Sequence, residues 1–153
     1  MCRSPLTLVA VATICLAIAA CNREPKPDHR GGFLVQIDKL IELPAVAVET
    51  QFTPEGFALN YFNGEPAATL RTNGYLILYG DYKPYALSVY KRGVSYYEQD
   101  TSRDTASDAI TVGTMKGEKG MFKVRFTKPL PAGVYLLECS QGKATVGFPF
   151  RIE

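Results

Sequence analysis

The sequence has very little of the residue types on which the commonest catalytic and metal sites depend. Among its 153 residues there is one histidine, His29, which lies in a polar, proline-containing stretch between Asp28 and Arg30. A Ser-His-acid or Cys-His nucleophile needs a histidine that the fold holds in place, and so does a Cys-His metal site. The sequence therefore argues against the commonest hydrolase and zinc-protein classes.

Three further features are absent from the sequence. No glycine-rich loop stands between a strand and a helix, which excludes the usual site for a nucleotide phosphate. The 17 lysines and arginines barely exceed the 15 acidic residues, so no basic surplus indicates a nucleic-acid partner. Outside the N-terminal region, no stretch keeps apolar residues at helical spacing over three turns. We accordingly expect no cofactor, no nucleic acid and no helical core.

The N-terminal region has the pattern of a cleaved secretory leader. A short start with one charge, Arg3, precedes an apolar run from Leu6 to Ala20. As a helix this run would reach about 22 Å, which is short of the roughly 30 Å hydrocarbon core of a bilayer. Small residues stand directly before Cys21, as they do before a signal-peptide cleavage site. The pattern therefore favours a leader over a permanent membrane span.

The quartet Ile18-Ala19-Ala20-Cys21 is similar to the lipobox of bacterial lipoproteins. That resemblance implies cleavage between Ala20 and Cys21 and attachment of lipid to Cys21, which would anchor the protein to a membrane. Lipoproteins retained at the inner membrane of Gram-negative cells often have aspartate in the next position, where this chain has Asn22. The resemblance thus implies the bacterial cell envelope, at the outer membrane and on its periplasmic face. The alternative is an ordinary secretory leader with a cysteine at the cut.

The composition divides the chain into three parts. We expect a signal peptide at 1–20, a lipidated cysteine with a flexible tether at 21–32, and one domain at 33–153. The tether has no apolar side chain apart from its prolines, carries charges of both signs and ends in two glycines. Such a segment cannot bury enough surface to pack, so we expect it to stay extended. His29 falls within it.

Alternation of apolar and polar residues dominates the domain. Phe122, Val124 and Phe126 alternate with polar neighbours, and the last strand, 144–152, has the same pattern. Pro149 cannot donate a ladder hydrogen bond, so this last strand should be an edge or carry a bulge. Recurring short strands separated by turn residues are typical of a β-sandwich or barrel. The predicted fold is all-β, an antiparallel β-sandwich that is immunoglobulin-like in the loose sense.

Turn residues predict which strands pair. Asn63-Gly64 is the strongest short hairpin signal in the chain, and Asn73-Gly74 repeats it. The strands at 75–80 and 85–92 are separated by a short polar stretch that includes a proline. We therefore expect these two strands to pair with each other.

One thiol remains once the leader is removed and Cys21 carries lipid. That thiol is Cys139, so no intramolecular disulfide can form. In the alternation of its strand, Cys139 shares a face with Tyr135 and Leu137. Glu138 lies on the opposite face. We expect a buried structural thiol; the alternative is a reactive or intermolecularly paired cysteine.

Tyrosines concentrate in one part of the chain, since seven of the nine fall between positions 75 and 97. Tyrosine combines a broad apolar area with a polar tip, which suits the recognition of a glycan, a peptide or a protein. The alternative is that tyrosine simply suits half-buried strand positions. Tyr90 is expected to face outward beside Lys91. The candidate binding surface comprises Tyr79, Tyr82, Tyr85, Tyr90, Lys91, Arg92, Tyr96 and Tyr97.

Acidic residues in turns and in a polar loop at 98–108 provide the other candidate sites. Paired carboxylates could perform glycoside hydrolysis, although acids in loops are usually solvated. The same loop could offer carboxylates to calcium, but its spacing lacks the alternating ligands and central glycine of the known calcium loop, so no metal is predicted. The candidate acids are Asp81, Glu98, Asp100, Asp104 and Asp108.

Two functional hypotheses follow. The first is a non-enzymatic binding module that is held at the envelope and contacts an unknown envelope protein or polymer through the tyrosine-rich region and the loop at 98–108. The alternative is a carboxylate-dependent enzyme that acts on envelope glycans, which requires two of the candidate acids to converge in one pocket.

Overall fold

The computed structural model describes residues 24–71, 73–103 and 106–153, and nearly all regular secondary structure in this part of the chain is β-strand. The predicted all-β, sandwich-like domain is confirmed. No helix in the described ranges is long and apolar enough to cross a membrane. A single 3₁₀ turn lies at Ser107–Ala109. The strands are β1 (Gly31–Gln36), β2 (Lys39–Leu43), β3 (Val46–Ala47), β4 (Glu49–Phe52), β5 (Ala58–Phe62), β6 (Thr69–Leu70), β7 (Tyr75–Tyr79), β8 (Lys83–Arg92), β9 (Tyr97–Gln99), β10 (Ile110–Thr114), β11 (Met121–Phe126), β12 (Gly133–Gln141) and β13 (Ala144–Ile152).

The strands form two sheets. Sheet A has five strands in the order β10-β11-β7-β1-β2, all antiparallel. Sheet B has the order β3-β13-β12-β8-β9-β5-β4, with the short β6 parallel to the end of β13. The chain passes between the sheets several times, and the longest ladder joins β12 to β13 at the end of the chain.

Sheet B nearly closes on itself. Its two end strands, β3 and β4, follow each other along the chain with only Val48 between them, yet β3 pairs with β13 and β4 pairs with β5. A chain that runs directly from one end of the sheet to the other curls it into a small barrel. The sheet therefore has an inner face inside the barrel and an outer face, part of which packs on sheet A.

The main core lies between sheet A and the outer face of sheet B. Alternation places Leu87 and Val89 of β8 in this core, and the partner strands β12 and β13 contribute every second residue to it. Gly32 of β1 allows the two sheets to approach closely, because a Cβ at this position would lie 2.4 Å from the ring of the fully buried Phe148. The core residues include Leu34, Leu43, Leu76, Leu78, Val124, Tyr135, Leu137, Cys139, Phe148 and Phe150.

A second core fills the barrel. Phe62 is fully buried there, and its ring stacks on Tyr97 and meets Tyr90 edge to face, with both pairs of ring centroids 5.1 Å apart. Leu136 and Val134 of β12 complete this core, and Val46 and Val48 pack against it. The barrel interior is thus aromatic on one side and aliphatic on the other.

The segment before β1 packs on the outer face of sheet A, so the prediction of a tether without packing contacts is wrong for residues 24–32. Glu24 forms an ion pair with Lys123 and accepts a hydrogen bond of 2.7 Å from the hydroxyl of Tyr75. Lys26 pairs with Glu118. Composition alone does not show that this segment meets charged partners on the sheet. It also does not show that β1 begins at Gly31, two residues before the predicted boundary. Residues 24–30 are called the strap below.

The predicted hairpins at Asn63-Gly64 and Asn73-Gly74 are wrong. Neither dipeptide joins two paired strands, because β5 pairs with β4 and β9, and β6 pairs with β13. The strands near 75–80 and 85–92 exist, but β7 belongs to sheet A and β8 to sheet B. A hairpin that the sequence did not indicate joins β1 to β2 through Ile37 and Asp38, which have φ angles of 50° and 56°.

The last two strands are confirmed, but the prediction that the final strand is an edge or carries a bulge is wrong, because β13 has neighbours on both sides and an unbroken register with β12. β13 pairs with β12 along its whole length and is bordered on its other side by two short strands, β3 at Gly147 and β6 at Arg151. Pro149 falls in the gap between them. The amide of Arg151 bonds the carbonyl of Ala68 on this side, and by alternation position 149 faces the same way. The missing N–H of proline therefore lies where no ladder bond is required.

Two further predictions concern Cys139 and the N-terminal region. Cys139 is fully buried, as predicted, and burial together with the neighbouring Glu138 raises the pKa of its thiol to about 12. The predicted signal peptide, the cleavage site at Ala20 and the lipidated Cys21 lie outside the described residues.

Candidate functional site

The tyrosines of the predicted binding surface do not share one surface. Tyr79 belongs to sheet A, whereas Tyr82 is half-buried and meets the ring of Phe148 at 5.1 Å. Tyr85 and Tyr96 are exposed, at 53% and 39% of their areas. The remaining two, Tyr90 and Tyr97, are buried in the barrel.

The expectation that Tyr90 faces outward is wrong. The residue does lie on the opposite face from Leu87 and Val89, as alternation requires, but only 3% of it is exposed. The cause is the closure of sheet B, which turns that face into the interior of the barrel and places Phe62 against the Tyr90 ring. Alternation predicts which face a residue occupies and does not show whether that face is covered.

Closure of the barrel also buries a carboxylate. Glu138 is 3% exposed and accepts hydrogen bonds from the hydroxyl of Tyr90 at 2.9 Å and from that of Tyr85 at 3.3 Å. Burial raises the pKa of Tyr90 strongly, and the nearby Glu138 carboxylate raises it further. A buried charge needs such donors. The two tyrosine hydroxyls supply the donors that the buried Glu138 carboxylate requires, so the role of Tyr90 is structural.

Four residues form a continuous row across four strands on the exposed part of sheet B. Lys91 of β8 is the cross-strand partner of Glu98 on β9. Glu98 is in turn the partner of Tyr61 on β5, and Tyr61 is the partner of Glu49 on β4. Direct partners point to the same face of a sheet. Along the row, the Lys91 ammonium lies 3.2 Å from the Glu98 carboxylate, and the Tyr61 hydroxyl donates a 2.5 Å hydrogen bond to Glu49.

Tyr96 adds a second ring to this row. Its centroid lies 6.1 Å from that of Tyr61, with the rings at 66° to each other. The turn from Gly93 to Tyr96 is closed by a backbone hydrogen bond of 2.8 Å. Gly93 leaves room for the ring, because a Cβ there would lie 2.9 Å from it. We call Glu49, Tyr61, Lys91, Tyr96 and Glu98 the tyrosine row.

The tyrosine row is accessible because sheet A covers only part of sheet B. The main core takes its sheet B residues from β6, β8, β12 and β13, and in the described chain it takes none from β4, β5 or β9. On β8, Val89 is the last residue of this face in the core, and Lys91 lies beyond it with 57% of its side chain exposed. The sequence indicated Lys91, Glu98 and Tyr96 but neither Glu49 nor Tyr61, which only the strand register brings into the row.

Arg92 has a different partner from its neighbour Lys91. It pairs with Glu65, whose carboxylate also binds Arg151 at 3.0 Å and the Tyr97 hydroxyl at 2.8 Å. The hydrogen bond from Tyr97 and then the one from Arg92 lower the pKa of Glu65. These contacts hold the loop after β5 against the end of the barrel. Arg92 therefore stabilises the loop and is not part of the tyrosine row.

The candidate acids lie on separate elements. Asp81 follows β7, Asp100 accepts a 2.6 Å hydrogen bond from the Ser102 hydroxyl, and Asp108 pairs with Lys128 at 2.7 Å. Asp104 lies outside the described residues. Within the described ranges, no three histidine, cysteine, aspartate or glutamate side chains come together as a metal site would require.

Two open grooves accompany these features. One, of about 360 Å³, lies between the sheets at one end of the sandwich, with Leu70, Phe126 and Ile152 among its apolar walls and Arg71 and Lys128 among its polar ones. The other, of about 420 Å³, lies on sheet A beside the strap. No tyrosine lines either of these two grooves.

The arrangement of the tyrosine row offers contact area and charge. Its two rings are held in place by a hydrogen bond and by each other, and carboxylates and an ammonium surround them. Such a surface can bind a partner without chemical change. Comparisons of the chain with models of protein families, with curated proteins and with solved structures found no match.

Proposed function

We propose that the protein is a lipid-anchored component of the bacterial cell envelope and that its β-sandwich is a non-enzymatic binding module for another envelope protein or polymer. The Ile18-Ala19-Ala20-Cys21 quartet supports the lipid anchor and the location. The tyrosine row supports the binding module. Residues 24–30 then connect the lipid directly to the domain as a packed strap.

The observation that carries the proposal is the row itself. Tyr61 is held by its hydrogen bond to Glu49 and by the edge-to-face contact with Tyr96. A ring that is already ordered loses little conformational entropy when a partner covers it. Tyrosine is also among the residues enriched where proteins bind each other. The rings therefore form the centre of the proposed surface.

The charges around the rings would orient the partner. Glu49 lies at one end of the row and Lys91 at the other, separated by three strand spacings, or about 14 Å. A partner with complementary charges at that separation is favoured over one with a uniform charge. The width suits a short extended peptide segment or a few sugar units of an envelope polymer.

Affinity capture from solubilised envelope tests the binding proposal. The bait is the mature protein, and the variant is Tyr61→Ala combined with Tyr96→Ala. A matched control is Tyr85→Ala, which removes another exposed tyrosine. Tyr85 also lies on β8 but is about 20 Å from Lys91 along the strand. We expect a specific partner to be captured by the wild type and by the control and lost from the double variant. Equal capture by all three proteins would exclude the row as the binding surface.

The lipid anchor is tested separately by mass spectrometry of the membrane-extracted protein. We expect an N-terminal Cys21 with the added mass of acyl chains, and we expect Cys21→Ser to remain unprocessed at that site. A soluble protein with an unmodified Cys21 would contradict the anchor and leave the ordinary secretory leader.

The alternative function is a carboxylate-dependent glycan hydrolase. One observation favours it: Glu98 and Glu49 flank Tyr61 two strand spacings apart, or about 9.6 Å between backbones, near the upper end of the carboxylate separations of inverting glycosidases. This alternative predicts that the protein cleaves envelope glycans and that Glu98→Gln or Glu49→Gln abolishes cleavage while glycan binding persists. Binding without cleavage by the wild type would exclude it.

A further inference from the structure

The two most exposed large apolar side chains of the described residues lie at the tips of turns. Val94 is 97% exposed in the turn between β8 and β9, and Ile37 is 81% exposed in the turn between β1 and β2. Ile37 also has a φ of 50°, a left-handed conformation that is strongly disfavoured for a β-branched residue. Neither side chain gains stability from packing, and asparagine or glycine would be less strained at position 37.

Both turns lie at the same end of the sandwich. On sheet A, the turn at Ile37 follows Val35, whose carbonyl is close to Gly74, and Gly74 also approaches Leu70 of sheet B. Leu70 pairs with Ile152, the last residue of β13. The end of β13 pairs with the start of β12. The start of β12 pairs in turn with the end of β8, and the turn that contains Val94 follows β8 directly. The strand register thus places both apolar tips beyond the same end of the two sheets, called the turn end below.

Cationic side chains also lie at the turn end. Arg71 and Lys128 line the groove between the sheets, Lys39 follows the Ile37 turn, and Arg125 precedes the end of β11. Lys128 is paired with Asp108. In the described ranges no ion pair involves the other three cations, and the acids among them include Asp38 and Glu153, which lines the same groove as Arg71. The turn end therefore combines exposed apolar tips with basic side chains, which is the composition of surfaces that lie in the interface of a bilayer.

The strap runs towards the turn end when the chain is followed back to its N-terminus. Lys26 is held by Glu118, in the turn beside the Tyr79 end of β7, whereas Glu24 is held by Tyr75 at the other end of that strand. Cys21 precedes Glu24 by three residues, so their Cα atoms are at most about 11 Å apart. An acyl chain on Cys21 would therefore enter the membrane close to this end of the domain.

We infer that the turn end lies against the membrane surface, with Ile37 and Val94 in the lipid interface and the basic residues at the phosphate headgroups. This inference rests on the proposed lipid anchor. The anchor limits how far the domain can move from the bilayer, and the apolar tips fix which end faces it. The opposite end of the sandwich, which carries the β12–β13 turn, faces away from the membrane.

Site-specific labelling of the lipidated protein tests this orientation. A nitrobenzoxadiazole fluorophore is attached to Ile37→Cys, to Val94→Cys, or to Lys143→Cys in the β12–β13 turn as the control at the opposite end. The buried Cys139 is shielded from the label. Each protein is reconstituted in vesicles of phosphatidylethanolamine and phosphatidylglycerol that carry nitroxide-labelled headgroups. We expect at least about threefold stronger quenching at positions 37 and 94 than at 143. Equal quenching at all three positions, or stronger quenching at 143, would overturn the orientation.

The two proposals fail in distinguishable ways. The mass of the N-terminal peptide is measured in the same samples, and absence of acyl mass on Cys21 would overturn the lipid anchor. A lipidated protein whose labels at 37 and 94 are no more quenched than the label at 143 would overturn the orientation and leave the anchor intact. Double charge removal, Lys39→Gln with Arg71→Gln, should lower quenching at position 37 in these anionic vesicles, and an unchanged value would contradict the headgroup contact.

Discussion

The hydroxyl of Tyr90 donates a hydrogen bond of 2.9 Å to the carboxylate of Glu138 inside the barrel of sheet B, where both residues are 3% exposed. Tyr85 reaches the same carboxylate from the barrel margin at 3.3 Å. The interior of this small barrel thus combines an aromatic core with one buried acid whose oxygens are satisfied by tyrosines. No buried side-chain polar atom in the described residues lacks a hydrogen-bond partner.

Tyr90→Phe should lower the free energy of unfolding by about 1 to 3 kcal/mol, because it leaves part of a buried carboxylate without a donor. The matched control is Tyr85→Phe, which removes the longer bond from a residue that is half exposed. Urea unfolding monitored by tyrosine fluorescence or far-ultraviolet circular dichroism gives both values. A cost for Tyr85→Phe equal to or above that for Tyr90→Phe would contradict the assigned roles.

The stability of the protein should fall at alkaline pH. The pKa of Cys139 is about 12 in the fold against an ordinary value of 9.0, because burial disfavours the thiolate. The contribution of a raised pKa is fully present below the unfolded value and is lost as the pH rises towards the folded one. The pKa of Tyr90 is raised as well. Its contribution to stability is therefore also lost as the pH rises above the ordinary tyrosine pKa of about 10. Urea unfolding between about pH 8 and about pH 11 should show declining stability, with a shallower decline for Cys139→Ala. Stability that rises over this range would contradict the burial of both groups.

Cys139 should resist thiol reagents in the native protein. Its side chain is fully buried and its pKa is raised to about 12, and the thiolate is the reactive form. A disulfide reagent such as dithiobis(nitrobenzoic acid), added to the mature domain at about pH 8, should react only after denaturant is added. Stoichiometric reaction within the mixing time under native conditions would show that the thiol is accessible and would restore the reactive alternative.

Gly32→Ala should destabilise the fold by about 1 to 3 kcal/mol, since the added methyl group overlaps the Phe148 ring and forces the sheets apart. Gly113→Ala on β10 is the control, because nothing lies within 4 Å of the methyl group that it adds. We expect the control to unfold at the same urea concentration as the wild type or slightly above it. A neutral Gly32→Ala would contradict the close approach of the two sheets.

The fold class and the last strands could be predicted because their information is local. In β12 and β13 the alternation is long and regular, so the buried positions of Cys139 and Phe148 follow from the sequence alone. The Ile37-Asp38 hairpin could not be predicted, because isoleucine is disfavoured in the left-handed conformation that the turn requires. The Asn63-Gly64 signal failed because the residue before it, Phe62, pairs with Tyr97, far away along the chain.

The candidate site depended on contacts that are distant in sequence. Whether Tyr90 is exposed depends on the closure of sheet B by the strands on either side of Val48, which no property of β8 indicates. The tyrosine row joins Tyr61 to Lys91 through the register of three strand pairs. The density of tyrosines between positions 75 and 97 indicated the region that contains Lys91 and Tyr96. Which residues of that region are exposed could be seen only from the pairing of the strands.

Photocrosslinking in intact cells tests the central claim, that the tyrosine row binds a partner in the envelope, most directly. The photoreactive residue p-benzoylphenylalanine replaces Tyr96, and in a control protein it replaces Val112, which is 45% exposed on sheet A. We predict one discrete crosslinked species at position 96 that is absent at position 112 and is lost when Tyr61→Ala is added. Crosslinking at position 96 that matches the control, or that persists unchanged with Tyr61→Ala, would contradict the account.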